Sequence, residues 1–274
     1  MTSNILYMTE FGVYGDLHVS ISDDYVATAE IKRPPNNFFD LDLIDSLVTS
    51  FQDLDNESAC RSIVLCSEGK NFCAGAQFGK DGARGGEITA TNADGSARHL
   101  YDAAFELFSC QKPVVAAIQG AAVGGGLGVA CFADFRVAAP EARFTANFAR
   151  LGFHHGFGLT VSLPGLVGQQ KALELLYTGR RINGNEAVAI GLADELADLE
   201  SLRGAAHSRA AEIAASAPLA VESIRMTMRG HLPGAIKVAT DREKEEQDRL
   251  RRSSDWTEGV NAMNERRSPN FTRE

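Results

Sequence analysis

The chain has 274 residues and a mass of 29.4 kDa, which predicts one large domain or one domain with a small appendage. Hydrophobic residues make up 44% of it and charged residues 23%, proportions that exclude a disordered or collagen-like protein. The formal net charge of −9 argues against a dedicated nucleic-acid-binding protein, which needs a basic surface.

Cysteine use and the N-terminal sequence indicate the compartment. The five cysteines are irregularly spaced and none forms a C-x-x-C pair, so we expect neither a disulfide framework nor a metal site. No basic segment followed by an apolar one begins the chain, so we expect no secretory signal. A cytoplasmic protein is the simplest prediction.

The predicted elements alternate between strands and helices. The first are a strand at 25–31, a helix at 41–54 capped by Asp40, a buried strand at 61–66 and a mobile loop at 79–95. A helix at 100–108, a strand at 113–118, a helix at 127–133 and a strand at 135–138 follow. Helices at 170–178 and 186–190 come next, each ended by a glycine, and the chain is mainly helical from Leu202. This order predicts an α/β protein.

Two runs without any charge, residues 113–133 and 151–170, each contain five glycines. The first run is long enough to be tested as a membrane span. Its proline, glutamine and glycines instead indicate a buried strand, a glycine turn and a buried helix, so we expect no membrane association.

Common catalytic and nucleotide-binding motifs are missing. The cluster Gly124-Gly125-Gly126 does not match the dinucleotide fingerprint G-x-G-x-x-G, because the third glycine is absent. The sequence also has no P-loop, no G-x-S-x-G elbow and no H-E-x-x-H zinc motif.

The glycine cluster suits an oxyanion-binding turn. It lies between a predicted strand and helix, and backbone N–H groups at a helix start are unpaired and favoured by the helix dipole. The turn Phe72 to Ala76 follows another strand and also has small residues. Each turn is able to donate one N–H group to the same enolate or tetrahedral oxygen. Close packing of helix and strand without a ligand explains the glycines equally well.

Several segments, in their order and spacing, resemble the crotonase, or enoyl-CoA hydratase/isomerase, superfamily. They are Arg33-Pro34-Pro35-x-Asn37, Phe72-Cys73-Ala74-Gly75-Ala76, Lys112 to Gly120, Gly124-Gly125-Gly126, Ala133-Asp134, Leu176 to Arg180, Glu186-Ala187 and Gly191-Leu192. The resemblance covers most of residues 16–200.

The resemblance implies a crotonase-like spiral of ββα units with a helical C-terminal region that supports trimerisation. We therefore expect a core at 1–200 that binds acyl-CoA, a helical region at 201–274, and a homotrimer or hexamer. The implied partner is an acyl-CoA thioester. Coenzyme A is part of that substrate, and no separate cofactor, metal, nucleic acid or membrane is expected.

The resemblance also implies a site. The thioester oxygen is expected between the backbone N–H groups of Ala76 and Gly125. Coenzyme A is expected to run past residues 33–39 and 70–74. The residues expected to bind substrate are Arg33, Phe38, Phe39, Lys70, Ala74, Gly124 and Phe148.

The sequence departs from the family's hydratases at both catalytic glutamates. Those enzymes remove and deliver protons with two carboxylates. The positions that match them are Gly128 and Phe148, which cannot transfer protons. The aspartate nucleophile of the family's aryl-CoA dehalogenases corresponds to Gly156, so dehalogenation is excluded as well.

Three other side chains are the catalytic candidates. His154 and His155 lie on the loop that is expected to line the acyl pocket, and a histidine there is able to act as acid or base near neutral pH. Tyr101 lies on a helix that the resemblance places beside the site. Core packing is the alternative role for each of the three.

Two functions remain open from the sequence. The first is an enzyme that stabilises a thioester enolate in an oxyanion hole and catalyses an α-proton shift, thioester hydrolysis, decarboxylation or an unusual hydration. The second is a non-catalytic acyl-CoA-binding paralogue or partner subunit, which the loss of both glutamates favours.

Overall fold

The computed structural model describes residues 7–78, 89–91 and 97–274. Its main sheet has seven strands, which are β1 (Met8–Tyr14), β2 (Leu17–Ser22), β3 (Val26–Ile31), β4 (Ser62–Ser67), β7 (Val114–Ile118), β9 (Phe135–Ala138) and β12 (Glu195–Leu196). They lie in the order β1-β2-β3-β4-β7-β9-β12. The first three strands pair antiparallel and the remaining pairs are parallel.

Two smaller sheets accompany the main one. Strands β8 (Ala121–Val123), β10 (Arg143–Thr145) and β11 (Ile182–Asn183) form a three-stranded sheet in the order β11-β10-β8. Cys73 extends this sheet through a parallel bridge to Ala122. Strands β5 (Thr89–Thr91) and β6 (Ala97–His99) form an antiparallel pair. Apart from β5, the loop predicted at 79–95 lies outside the described residues.

The described residues form ten α-helices. They are α1 (Leu41–Asp55), α2 (Leu100–Leu107), α3 (Gly125–Phe132), α4 (Leu159–Val167), α5 (Gln169–Thr178), α6 (Gly184–Ala189), α7 (Leu202–Ala214), α8 (Pro218–Arg229), α9 (Leu232–Leu250) and α10 (Ser254–Glu265). A 3-10 helix covers Ala149–Leu151.

The predicted mixture of strands and helices is confirmed. The side chain of Asp40 accepts a hydrogen bond from the backbone N–H of Leu43 at 3.0 Å, so Asp40 caps α1 as expected. Gly179 ends α5 with a φ of 54°, in the left-handed region. Helix α4 was not predicted, because the charge-free run that contains it lacks a polar face.

The core has a large and a small cluster of buried apolar residues. The large cluster lies between the main sheet and the helices α1, α2 and α3, which cover one face of that sheet. The small cluster lies on the opposite face, where α7 packs Leu202, Ala206 and Ala210 against β3, β4, β7 and β9. Helix α7 therefore closes the second face of the sheet, as a buried parallel sheet requires.

No helix in the described part of the chain is long and apolar enough to cross a membrane. All five cysteines are buried and free.

Candidate active site

The two predicted oxyanion turns lie side by side. The backbone N–H of Cys73 donates to the carbonyl of Ala121 at 2.8 Å, and that of Val123 donates to the carbonyl of Cys73 at 3.0 Å. These bonds hold the Cys73–Ala76 turn against the strand that leads into Gly124. A Cβ atom placed on Gly75 would lie 2.5 Å from the carbonyl oxygen of Val123, so only glycine fits there.

Gly124 and Gly125 form the start of α3. Gly124 has a φ of 56° and a ψ of −119°, which is a conformation for glycine alone, and Gly125 is the first residue of the helix. No described residue accepts a hydrogen bond from the backbone N–H of Gly125 or of Ala76. Both residues border one cavity, and the helix dipole favours negative charge beside Gly125.

The cavity between the two turns has a volume of about 430 Å³, within the range of small-molecule sites. Of the residues expected to contact substrate, those that line it are Phe38, Phe39, Ala74, Ala76, Gly124, Gly125 and Phe148. Tyr101 also lines it, as does Gln247 of α9. The C-terminal helix α10 closes one side with Met263 and Asn264.

The position of the first family glutamate is filled by an aromatic ring. A Cβ atom placed on Gly128 would lie 2.6 Å from Cδ1, 2.7 Å from Cβ and 2.9 Å from Cγ of Phe157. Phe157 is fully buried, and its backbone φ is 62°. The position of the second glutamate, Phe148, presents a ring to the cavity.

The position that matches the dehalogenase aspartate is filled by polar side chains. A Cβ atom placed on Gly156 would lie 1.8 Å from the hydroxyl oxygen of Tyr101 and 2.6 Å from Nε2 of Gln247. These two groups therefore lie together at the wall of the cavity, in space that a side chain at 156 would occupy.

Tyr101 lies in the first turn of α2, where the N-cap residue fixes its backbone. It is 8% exposed, and its backbone N–H donates to Nδ1 of His99 at 3.1 Å in the capping box of α2. The guanidinium of Arg251 interacts electrostatically with Tyr101. Among the described residues, the buried Nε of Arg251 has no hydrogen-bond partner, while its Nη2 donates to Oε1 of Gln247 at 3.0 Å.

Gln247 is a site residue that the sequence did not reveal. It is 3% exposed, and its Nε2 donates to the carbonyl of His154 at 2.9 Å. It lies in the strongly charged stretch 241–252, where the composition indicates a solvated helix. Its one sequence signal is that an uncharged amide interrupts that stretch.

The structure places His154 and His155 outside the described lining of the cavity. Their rings stack with centroids 4.1 Å apart, and the ring of His155 is 6.5 Å from that of Phe148. Burial, and after it the charge of His154, lower the pKa of His155 from 6.5 to about 3. His155 is therefore neutral at physiological pH, and a catalytic role for either histidine stays a prediction that this placement does not favour.

His155 belongs to a structural network. Its Nε2 is 2.9 Å from the hydroxyl of Thr160, which donates to Glu243 at 2.6 Å. The fully buried carboxylate of Glu243 also accepts from the backbone N–H groups of Gly158 and Thr160. Burial raises the pKa of Glu243, and these three bonds oppose the shift. Glu243 thus caps α4 from a helix that is more than 80 residues away in the chain.

The segments expected to contact coenzyme A are joined to each other. The side chain of Asn37 donates to the carbonyls of Glu68 and Asn71, which ties residues 33–39 to residues 68–74. Arg33 is occupied by ion pairs with Asp16 at 2.5 Å and Asp40 at 2.7 Å. Lys70 is exposed. Neither Arg33 nor Lys70 lines the cavity within the described chain, so their role in binding coenzyme A stays a prediction.

No group of three or more His, Cys, Asp or Glu side chains is placed to hold a metal ion in residues 7–78, 89–91 and 97–274.

Several known proteins are similar to this chain in fold and sequence. The sequence model of the family described as enoyl-CoA hydratase/isomerase matches residues 22–274. A probable enoyl-CoA hydratase of Bacillus subtilis is 32% identical over 262 residues, covering 91% of this chain and 96% of that protein. The crystal structure of an enoyl-CoA hydratase/isomerase from Pseudoalteromonas atlantica matches with a TM-score of 0.80 at 25% identity, covering 94% of this chain and 100% of that one. A probable enoyl-CoA hydratase/isomerase from Mycobacterium abscessus matches with a TM-score of 0.67 at 30% identity, covering 96% and 100%.

Proposed function

Since the chain belongs to the enoyl-CoA hydratase/isomerase family, we propose that it acts on an acyl-CoA thioester and transfers the proton with the Tyr101 hydroxyl instead of a glutamate pair. The proposal rests on the residues that line one cavity. Ala76, Gly125 and Tyr101 border it together, while the two glutamate positions hold no carboxylate.

The backbone N–H groups of Ala76 and Gly125 bind the thioester oxygen in this proposal. Negative charge moves onto that oxygen when an enolate forms, and two fixed donors stabilise it more than they stabilise the neutral carbonyl. In enzymes that stabilise an oxyanion with fixed hydrogen-bond donors, loss of one donor lowers kcat by about 10²- to 10³-fold.

Tyr101 moves the proton. The phenolate form of Tyr101, which the charge of Arg251 favours, takes the α-proton of the thioester, which leaves Tyr101 as the neutral phenol and the substrate as an enolate, or as a dienolate where the acyl chain has a β,γ double bond. The phenol then returns the proton and the thioester carbonyl reforms. Return to the α-carbon is exchange, whereas return to the γ-carbon of a dienolate moves the double bond to the α,β position. This isomerase-type proton shift needs one proton-transfer group, whereas hydration needs two. Among the described residues that line the cavity, Tyr101 is the one with an acid or base side chain.

The test measures exchange of the α-protons of an acyl-CoA with D₂O. NMR monitors this exchange in octanoyl-CoA and in phenylacetyl-CoA. We expect the protein to catalyse deuterium incorporation, and Tyr101→Phe to slow it by about 10²- to 10⁴-fold with unchanged thioester binding. Tyr177→Phe, at a tyrosine that is 73% exposed on α5, is the matched control and should exchange at the wild-type rate. Equal rates for wild type and Tyr101→Phe would refute the role of Tyr101.

A second candidate is the non-catalytic acyl-CoA binder. The absence of a histidine or carboxylate from the described cavity lining favours it. In that case calorimetry detects thioester binding, and the wild-type protein gives no exchange above background.

Two further features of the function are proposals. A cytoplasmic location is supported by five free, buried cysteines. A homotrimer or hexamer is supported by α8, which buries none of its residues and exposes Leu219, Ile224, Met226 and Met228.

A further inference from the structure

The walls of the cavity are aromatic where they meet the oxyanion turn. A Cβ atom placed on Gly125 would lie 2.2 Å from Cζ of Phe39, and one placed on Gly124 would lie 3.7 Å from Cζ of Phe148. A phenylalanine ring therefore packs on each of the two glycines beside the thioester site. The part of the acyl group nearest the carbonyl must fit between these rings.

Each of these rings is paired with another aromatic ring of the same cavity. Phe39 and Phe157 have centroids 5.7 Å apart and planes inclined at 57°. Phe148 and Phe153 have centroids 5.5 Å apart, also inclined at 57°. All four residues border the cavity, and each is less than 9% exposed. The rings are packed against one another, so little side-chain entropy is lost on binding.

We propose that the acyl group is an aryl group, with its ring one to three carbons from the thioester carbonyl and held between these two aromatic pairs. This inference rests on the proposed function and names its substrate class. Tilted rings offer both faces and edges to a bound ring, and such contacts favour it over a chain of equal burial by about two- to tenfold per pair.

The volume of the cavity agrees with this class. An apolar cavity of about 150 Å³ is large enough to hold benzene. The cavity of about 430 Å³ therefore has room for an aryl ring, a short linker and the thioester. Phe157 occupies the space beside Gly128, and this ring limits the room for a long flexible chain on that side.

The experiment compares two thioesters with eight-carbon acyl groups, phenylacetyl-CoA and octanoyl-CoA, by calorimetry, with free coenzyme A as the baseline. Hydrophobicity alone favours octanoyl-CoA, because its acyl chain is the more apolar. We expect phenylacetyl-CoA to bind at least fivefold more tightly than octanoyl-CoA. Phe148→Leu should remove that preference, since leucine keeps most of the apolar area but has no ring. Phe11→Leu, at a half-buried phenylalanine of β1, should retain it.

The possible results separate the inference from the function beneath it. Equal or tighter binding of octanoyl-CoA overturns the aryl inference and leaves the acyl-CoA function in place. An aryl preference that persists in Phe148→Leu overturns the assignment to these rings. If neither thioester binds more tightly than free coenzyme A, both the inference and the proposed function fail.

Discussion

Substitution of Gly128 by alanine tests directly why this chain has no glutamate there. In an ordinary helix interior this change stabilises a protein by about 1 kcal/mol. At Gly128 the new Cβ would lie 2.6–2.9 Å from three carbons of Phe157, closer than real Cβ atoms approach. One of these carbons is Cβ of Phe157, which cannot move away by side-chain rotation. Overpacking of this kind costs about 3 kcal/mol, the upper end of its usual range.

The expected net effect is therefore a loss of about 2 kcal/mol in the free energy of unfolding. Urea denaturation followed by circular dichroism measures it, at one protein concentration because an oligomer's stability depends on concentration. Gly204→Ala is the matched control. That residue lies in α7 with nothing within 4 Å of its Cβ position, so the same change there should stabilise by up to about 1 kcal/mol.

A double substitution identifies the obstructing ring. With Phe157→Gly in the background, which removes all three obstructing carbons at a φ of 62° that glycine adopts, Gly128→Ala should become stabilising by about 1 kcal/mol. This corresponds to a coupling of about 3 kcal/mol between the two sites. A neutral or stabilising Gly128→Ala in the wild-type background would refute the packing argument. An unchanged cost in the Phe157→Gly background would mean that another group blocks the site.

Two further predictions concern pH and the oxyanion turn. Because the pKa of His155 falls from 6.5 to about 3, the unfolded state gains a proton between these values that the folded state does not. The free energy of unfolding should thus fall by up to about 1.4 kcal/mol per pH unit as the pH drops through this window. His155→Gln should make the decline in Tm between pH 7 and pH 4 less steep. An unchanged dependence of Tm on pH in this variant contradicts the argument. Gly75→Ala places a Cβ 2.5 Å from the carbonyl oxygen of Val123 at a φ of 84°, so the turn must shift, and α-proton exchange should slow about 10²- to 10³-fold. Gly15→Ala, at another left-handed glycine with a φ of 58°, should exchange at the wild-type rate; equal rates for both variants would disprove the role of the Cys73–Ala76 turn.

The fold and the two glycine-containing turns could be predicted because their signals are local. Glycines that permit a left-handed φ or a close approach of two backbone segments are visible in the sequence. The resemblance to the family is based in part on the spacing of the two turns relative to the strands. The mixed α/β fold and the family are confirmed. Ala76, Gly124 and Gly125 line one cavity, and their role in binding a thioester oxygen stays a prediction.

The wall of the cavity could not be predicted because it depends on contacts between distant residues. Gly128 and Gly156 show in the sequence that a carboxylate is missing, but not which group fills the space. The structure fills the first space with Phe157 and the second with Tyr101 and Gln247. The histidine pair was a chemically reasonable candidate, but the direction of a side chain on an irregular loop has no periodicity from which to predict it.

Because Gln247 lies late in the sequence, the cavity is completed only near the end of translation. The two glycine-containing turns at 73–76 and 124–126 are made more than a hundred residues before Gln247 and α10, which close the cavity. At about 5–20 residues per second, translation separates the two by on the order of ten seconds. Until then Phe153, which also lines the cavity, lacks its contact with Trp256 of α10, whose ring centroid lies 4.5 Å from its own. The nascent chain therefore exposes a hydrophobic surface that its own later helices must reach before another chain does.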